Sequence, residues 1–294
     1  MSSNNIDWKT LARQISLVEN NHKDGFEILK KITANRVIPI IGITGPPGAG
    51  KSSLVNALIS KMLLAGKTIG IIAVDPTSPF NFGSLLGDRV RMAEHFNNAN
   101  VYIRSIASRG SLGGLSNKIT EIVDVMKQYP FDYIFIETVG VGQSEVEIAG
   151  LADTTIVTLV PEAGDEIQTL KSGLMEIADI FVINKSDRDG ADVFVKNLSA
   201  LVHQHQKNNW EIPVLKTIAT KNSGTDELIE AINNHHQLNT NSERKLQLLN
   251  EKAWNLLINK IQKNINKDTF FQQLKNEQNK TDFNLYQFIE QYIQ

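Results

Sequence analysis

The sequence predicts an α/β fold in which a mostly parallel sheet is flanked by helices, with a further helical segment at each end of the chain. The main observation is an alternation of short apolar runs with longer stretches of helical character, which is typical of parallel strands joined by helices. The second is size: 294 residues, 41% of them hydrophobic, suffice for one large α/β domain with appendages or for two small domains. The apolar runs lie at residues 37–44, 68–74, 101–106, 133–136, 155–160, 180–183 and 212–215.

Residues 1–36 are predicted to form a helical appendage before the first strand. Apolar side chains recur there at the three- and four-residue spacing of an amphipathic helix, first between Trp8 and Val18 and again between Phe26 and Ile32. Two short helices are therefore expected before the sheet begins.

The first apolar run enters residues 45–52, GPPGAGKS, which match the phosphate-loop pattern G-x-x-x-x-G-K-[ST] at every fixed position. In this pattern the backbone N–H groups surround a phosphate, the lysine (here Lys51) reaches its oxygens, and the hydroxyl (here Ser52) ligates Mg²⁺. The alternative is a glycine-rich surface turn. We predict a P-loop NTPase domain at residues 37–237. The loop residues predicted to bind nucleotide are Gly48, Ala49, Gly50, Lys51, Ser52 and Ser53.

Two acidic residues beyond the second apolar run are candidates for binding the metal and the reacting phosphate. Asp75 directly follows that run, and ligands of parallel α/β sheets bind beyond the carboxyl ends of the strands. Asp88 lies beside two arginines at the start of a helix-like stretch. Each also has a purely structural interpretation, since Asp75 is followed by a proline-flanked turn and an aspartate can cap a helix.

Glu137 follows the apolar run 133–136, and Gly140 comes three residues later. This spacing fits the second metal-and-phosphate element of phosphate-loop proteins, in which a carboxylate orients the Mg²⁺ shell and a glycine N–H contacts the γ-phosphate. Val141 stands where small regulatory GTPases carry a water-orienting glutamine, and Gln143 is in the wrong register to replace it. We therefore predict slow intrinsic hydrolysis that a partner stimulates.

Residues 184–187, NKSD, directly follow the run 180–183 and fit the pattern N-K-x-D. The aspartate of this pattern accepts hydrogen bonds from guanine N1–H and from the exocyclic amine, a pairing that adenine cannot offer. The expected ligand is therefore GTP or GDP. The residues predicted to serve the base are Asn184, Lys185 and Asp187, with Thr217 and Ala219 placed where a backbone N–H commonly contacts guanine O6.

Residues 238–294 are predicted to form a C-terminal helical arm. One apolar stripe runs from Leu246 to Ile265 and a second from Leu285 to Tyr292, both at helical spacing. A terminal helical pair must bury such a stripe against its own domain or against another copy of the chain. We favour a homodimer that forms through this arm.

Composition argues against several classes of protein. A net charge of −2 provides no basic surface for nucleic acid or for an anionic membrane. The absence of cysteine excludes disulfides, thiolate metal sites and cysteine nucleophiles. No apolar run approaches membrane-spanning length, so we expect a cytoplasmic protein with neither membrane nor nucleic-acid partners. The six histidines show no metal-ligand spacing and are expected on solvated faces.

Together these motifs resemble the methylmalonyl-CoA mutase-associated GTPase family, which is MeaB-like and has also been labelled a lysine/arginine/ornithine transport system kinase. The resemblance covers roughly residues 38–228. The segments that carry it are residues 45–53, 74–79, 86–92, 108–115, 137–145 and 184–187.

The resemblance implies roles for individual residues and three switch segments. The first switch would span residues 75–91, the second 137–149, and a further one 164–171, in which Gln168 and Lys171 would couple the nucleotide state to a client. The catalytic residues would be Lys51, Asp75, Asp88 and Glu137, and the Mg²⁺ ligands would be drawn from Ser52, Asp75, Asp88 and Glu137.

For function, the resemblance implies a chaperone: GTP binding and hydrolysis would gate the loading of adenosylcobalamin into methylmalonyl-CoA mutase and protect that enzyme. Two alternatives stay open. One is a metal-insertion GTPase of related fold, against which the absence of cysteine and of a histidine-rich tract argues. The other is a kinase of a periplasmic amino-acid transport system, for which no acceptor-positioning residue is visible in the sequence.

Overall fold

A computed structural model describes residues 6–33, 37–75, 92–107, 118–138, 148–162, 174–203, 210–238, 250, 253–254, 257–258, 267–277, 288 and 292. The strands are β1 (Ile40–Thr44), β2 (Ile69–Asp75), β3 (Val101–Ala107), β4 (Tyr133–Glu137), β5 (Thr154–Leu159), β6 (Ile180–Ile183) and β7 (Val214–Lys216). The α-helices are α1 (Trp8–Glu19), α2 (Lys23–Lys30), α3 (Lys51–Leu64), α4 (Ile119–Met126), α5 (Leu174–Ile177), α6 (Ala191–Val202), α7 (Thr225–Leu238) and α8 (Lys267–Glu277). Short 3-10 helices lie at Ala93–His95 and Ala219–Lys221.

The strands form one parallel sheet in the order β3-β2-β4-β1-β5-β6-β7, which confirms the predicted α/β class. Each predicted apolar run overlaps a strand, although β1 and β7 begin three and two residues later than their runs. The reason is proline: Pro39 and Pro213 precede these strands and have no N–H to donate to a neighbour. Their carbonyls nevertheless accept hydrogen bonds from the adjacent strands.

Helices α3 and α7 cover one face of the sheet. Ile43 and Phe135 of the sheet pack in one buried cluster with Leu54 and Leu58 of α3 and with Ile232 of α7. Burial of a side chain of this size stabilises the fold by about 2 kcal/mol. Because α3 begins directly after the phosphate loop, residues 45–52, this packing fixes the end of the loop against the sheet.

Helices α1 and α4 cover the other face. Leu11 and Ile15 of α1 are fully buried and belong to the same cluster as Ile134 of β4. The indole of Trp8 stacks on Phe131 at 5.1 Å between ring centroids and donates a hydrogen bond to a backbone carbonyl near β3. The two short helices predicted before the first strand are therefore present, and α1 is part of the core of the sheet.

The chain forms two compact units, residues 1–242 and 243–294. In the second unit, the aromatic rings of Phe270, Phe288 and Tyr292 contact one another at centroid distances of 4.9 to 5.5 Å. The predicted domain limits, 1–36, 37–237 and 238–294, stay predictions. Within the part of the chain that the structure describes, no helix has the length and apolarity needed to cross a bilayer.

Candidate nucleotide-binding site

The candidate site lies at the carboxyl edge of the sheet, where the sequence motifs are brought together. The phosphate loop follows β1, Glu137 ends β4, Asn184 follows β6 and Thr217 follows β7. Because all the strands are parallel, their carboxyl ends meet at one edge, which is where such sheets bind ligands. Motifs that are more than a hundred residues apart in sequence therefore become neighbours.

The phosphate loop has the backbone conformation of an anion site. Gly48 and Gly50 have φ values of +79° and +84°, in the left-handed region, and α3 begins at Lys51 without a side-chain cap. The positive end of the helix dipole therefore faces the loop, an arrangement that favours phosphate. The Lys51 ammonium is buried and donates to the carbonyls of Gly45, at 2.8 Å, and Pro46, at 3.1 Å.

Ser52 and Glu137 form the second part of the site. The Ser52 hydroxyl donates to Glu137 Oε1 at 2.5 Å, and both side chains are buried. Ser52 lies in the first turn of α3, and Glu137 is paired in register with Ile43, whose side chain packs toward α3. A hydroxyl and a carboxylate oxygen are the donor types that Mg²⁺ prefers, so this buried pair fits that ion.

Asn184 joins the phosphate loop to the segment after β7. Its amide Nδ2 donates to the Ala49 carbonyl at 3.0 Å, and its Oδ1 accepts from the Ala219 N–H at 3.1 Å and the Thr217 hydroxyl at 3.2 Å. Lys185, with a left-handed φ of +56°, donates from Nζ to the Gly48 carbonyl at 2.7 Å. The Ala219 N–H, predicted to contact guanine O6, is thus engaged by Asn184 in this structure.

Asp187 presents an exposed carboxylate beside these loops. Its Oδ2 lies 3.2 Å from Lys221 Nζ, and its side chain is 43% exposed. The hydrogen bond from Lys221 lowers the pKa of Asp187 below its ordinary value. The carboxylate is therefore ionised at neutral pH, as recognition of two guanine N–H groups requires. Next to it, Arg188 forms an ion pair with Glu162, the last residue of the described range 148–162.

Several predicted residues lie outside the described residues. Asp75 is the last residue of β2, and only its backbone belongs to the described part of the chain. The remainder comprises Asp88, Gly140, Val141 and Gln143, most of the predicted switch segments 75–91 and 137–149, and all of segment 164–171.

Two histidines contradict the expectation of solvated faces. His235 is buried, with Nδ1 at 2.8 Å from the Thr154 hydroxyl and Nε2 at 3.6 Å from Asp179 Oδ1. His95 is buried with Nε2 at 3.3 Å from the Ser60 hydroxyl. Each ring finds a polar partner in the interior, which allows burial. Among the described residues, no group of three histidine or acidic side chains is arranged to hold a metal ion.

A hydrogen bond that the sequence motifs did not indicate joins the ends of β1 and β4. The hydroxyl of Thr138, the residue after Glu137, donates to the hydroxyl of Thr44 at 3.0 Å. Thr44 is the residue before the phosphate loop, and both threonines are buried. The only sequence signal is position: Thr44 directly precedes the phosphate loop, and Thr138 follows Glu137 within segment 137–145.

The chain is similar in sequence to a known family and to several known proteins. A family described as "Methylmalonyl Co-A mutase-associated GTPase MeaB" matches residues 11–273. A Pyrococcus abyssi protein named as a GTPase is 49% identical over 245 residues, which are 81% of this chain and 75% of the relative. GTPase ArgK of Escherichia coli K12 is 35% identical over 238 residues, 76% and 70% of the two chains. The mouse methylmalonic aciduria type A homolog, named as mitochondrial, is 33% identical over 278 residues, 87% and 66% of the two chains.

Two solved structures are also similar. The crystal structure of an LAO/AO transport system kinase has a TM-score of 0.69 and 27% identity, and the match covers 98% of this chain and 92% of that one. HypB from Helicobacter pylori, solved in complex with nickel, has a TM-score of 0.52 and 16% identity over 80% of this chain and 98% of that one. At that identity the second likeness concerns the fold alone, and both support a P-loop architecture.

Proposed function

The chain belongs to the methylmalonyl Co-A mutase-associated GTPase MeaB family, and from this premise we propose that it is a Mg²⁺-dependent GTPase that acts as a chaperone of methylmalonyl-CoA mutase. In this proposal, GTP binding and slow hydrolysis gate the loading of adenosylcobalamin into the mutase and protect the loaded enzyme. The family match extends the resemblance seen in the motifs to residues 11–273.

The observation that carries the nucleotide part of the proposal is the bridge made by Asn184. One buried amide contacts both the phosphate loop, at Ala49, and the segment after β7, at Ala219. It therefore holds a phosphate-binding element at a fixed distance from the elements proposed to bind the base, beside the ionised Asp187. A ligand that satisfies both ends must carry phosphates and a base with adjacent N–H donors, which describes a guanine nucleotide.

Each part of the site has a role in this proposal. Lys51 places a positive charge at the phosphates, where charge develops during transfer of the γ-phosphoryl group. Ser52 and Glu137 would hold Mg²⁺, which when bound neutralises charge on the phosphate oxygens. We assign the remaining predicted residues on the strength of the family resemblance: Asp75 and Asp88 at the metal and the hydrolytic water, Gly140 at the γ-phosphate, and Thr217 at the base.

The client is inferred from the family description and from one relative's name. The family is described as mutase-associated, and the mouse relative is named for methylmalonic aciduria. Because the predicted water-orienting position is Val141, we propose that efficient hydrolysis requires the client. A GTPase whose rate depends on its client is suited to a gate, since nucleotide is consumed when the complex is assembled.

The test is a hydrolysis assay with labelled GTP, with and without a cobalamin-dependent methylmalonyl-CoA mutase. We expect inorganic phosphate as product, a stimulation by mutase of about tenfold or more, and a complex that survives co-purification. The Lys51→Ala variant should lose turnover in both conditions, which controls for contaminating activity. Stable phosphate transfer to a protein would favour the kinase alternative, and an unchanged rate with no complex would contradict the proposed client.

A further inference from the structure

We propose that Thr138 is a positioning residue for Glu137 and acts through its buried hydroxyl contact with Thr44. This inference rests on the proposed function, because it concerns the carboxylate that we assign to Mg²⁺. The sequence motifs assign no role to either threonine.

Thr138 is fixed at the end of β4 by contacts from two residues of β1. Its N–H donates to the Ile43 carbonyl at 3.1 Å, and its hydroxyl donates to the Thr44 hydroxyl at 3.0 Å, with the Ile43 carbonyl at 3.4 Å. Thr138 is 2% exposed and Thr44 is fully buried. Separation of this buried pair is unfavourable, because the Thr44 hydroxyl would lose this partner without gaining water and the Thr138 hydroxyl would keep only the longer contact with the Ile43 carbonyl.

The contact lies on the opposite face of the sheet from the Ser52–Glu137 pair. Neighbouring residues of a strand point to opposite faces, and the register pairs Ile43 with Glu137. Glu137 therefore faces α3, where Ser52 lies, and Thr138 faces away from it. The end of β4 is held on one face by Ser52 and on the other by Thr44.

This arrangement links the position of Glu137 to the start of the phosphate loop. Thr44 directly precedes Gly45, so its hydrogen bond with Thr138 fixes the carboxyl end of β1 relative to the carboxyl end of β4. A displacement of about 1 Å at a reacting centre is enough to lower turnover substantially. Loss of the Thr138 hydroxyl should therefore alter metal-dependent catalysis more than nucleotide affinity.

The experiment compares Thr138→Val, Thr138→Ser, Thr44→Val and the Thr44→Val/Thr138→Val double variant. Valine keeps the branched shape of threonine and removes the hydroxyl, whereas serine keeps the hydroxyl. The matched control is Thr155→Val, since Thr155 is a fully buried strand residue whose hydroxyl has no hydrogen-bond partner among the described residues. All variants are assayed for GTP turnover, for the Mg²⁺ concentration that gives half-maximal turnover, and for GDP affinity.

We expect Thr138→Val to lower kcat by about 3- to 10-fold and to raise the half-maximal Mg²⁺ concentration by a similar factor, with GDP affinity within about twofold of wild type. Thr138→Ser should retain wild-type values, and the double variant should be no worse than Thr138→Val alone. In the nucleotide-free protein, the double variant should likewise have a melting temperature higher than the sum of the two single decreases would give. If Thr138→Val does not fold, Thr44→Val removes the same contact from the other strand.

The proposal is overturned if Thr138→Val turns GTP over within twofold of wild type, if serine does not restore the rate, or if Thr155→Val causes an equal loss. A wild-type protein that neither binds nor hydrolyses GTP would overturn the proposed function together with this inference. Normal wild-type turnover with an unaffected Thr138→Val variant would overturn the positioning role alone.

Discussion

Asp187 is the residue on which the choice of base depends in the proposed site. Its carboxylate is exposed, and the hydrogen bond from Lys221 lowers its pKa below the ordinary value of 3.8. Because the folded-state pKa is lowered, the charged form persists at every pH above that value, and protonation begins only in more acidic solution. Recognition of guanine through Asp187 should therefore not vary between pH 6 and 8, a range that lies well above the ordinary pKa.

Replacing Asp187 by asparagine should change the base that is bound. The amide would place a donor opposite a donor of guanine, whereas xanthine offers a carbonyl oxygen at that position. We expect Asp187→Asn to weaken GDP binding by about 10- to 100-fold, the range of a charged hydrogen bond, and to admit xanthine nucleotides. Binding of fluorescent GDP, XDP and ADP measures this.

The matched control is Asp192→Asn, which removes the charge of another exposed aspartate that pairs with a lysine, Lys216, at 2.9 Å. That variant should bind GDP as the wild type does. Wild-type protein that binds ADP as tightly as GDP would show that residues 184–187 do not select guanine.

At the residue scale, the sequence indicated which residues lie together in the candidate site better than it indicated their contacts. Lys51, Ser52 and Glu137 were predicted because each has a fixed place in a motif. The bridge from Asn184 to Ala49 joins residues 135 positions apart, and no local pattern encodes such a pair. The burial of His95 and His235 escaped prediction for the same reason, since their partners Ser60 and Thr154 are distant in sequence.

The phosphate loop is the element in which backbone conformation matters most. Gly48 and Gly50 both have left-handed φ values, but their surroundings differ. A Cβ at Gly48 would meet no atom within 4 Å, whereas a Cβ at Gly50 would lie 2.4 Å from the Nδ2 of Asn184. An alanine would therefore meet the same backbone strain at both positions, but would have room for its Cβ only at Gly48.

The pair provides a matched comparison of strain against crowding. Gly48→Ala should lower the free energy of unfolding by about 1 to 2 kcal/mol, the cost of a left-handed alanine. Gly50→Ala should cost about 1 to 3 kcal/mol more, because Asn184 must move and lose buried hydrogen bonds. Urea denaturation and GDP binding measure both effects. Equal losses in the two variants would show that Asn184 does not limit the space at Gly50.

At the element scale, strand positions could be predicted because burial on both faces makes each strand a continuous apolar run. The run 180–183 coincides with β6. The role of α1 was predicted less well, since an amphipathic pattern shows that a helix has a buried face and does not identify the surface it covers. Leu11 and Ile15 pack on the sheet, which the pattern alone could not distinguish from an outlying appendage.

At the scale of the whole molecule, the parallel sheet explains why four separate sequence motifs lie together at one edge. Strand order β4-β1-β5-β6-β7 places Glu137, the phosphate loop, residues 184–187 and Thr217 in succession along that edge. The sequence predicted the parallel arrangement and the order of motifs along the chain. It could not supply the strand order, because the pairing of β1 with β4 and β5 depends on the packing of the helices between them.

The second compact unit carries the proposed homodimer surface. Trp254 and Leu257, on the predicted stripe 246–265, are 58% and 49% exposed. Large apolar side chains at helical spacing are typical anchors of an interface between copies, and tryptophan is enriched among residues that dominate binding energy. The described aromatic contacts of this unit involve Phe270, Phe288 and Tyr292, and we propose that the exposed Trp254 contacts a second copy of the chain.

We expect wild-type protein at micromolar concentration to have twice the 32.7 kDa mass of one chain in light scattering, and Trp254→Asp/Leu257→Asp to have the mass of one. A buried aspartate without a partner at the interface costs more than a dimer of this kind can tolerate. The control is Phe26→Asp, because Phe26 is 51% exposed and lies outside the arm; it should remain dimeric. Retention of GDP binding by every variant would show that residues 1–242 stay folded. A monomeric wild type, or equal dissociation by Phe26→Asp, would contradict the assignment of the dimer to the arm.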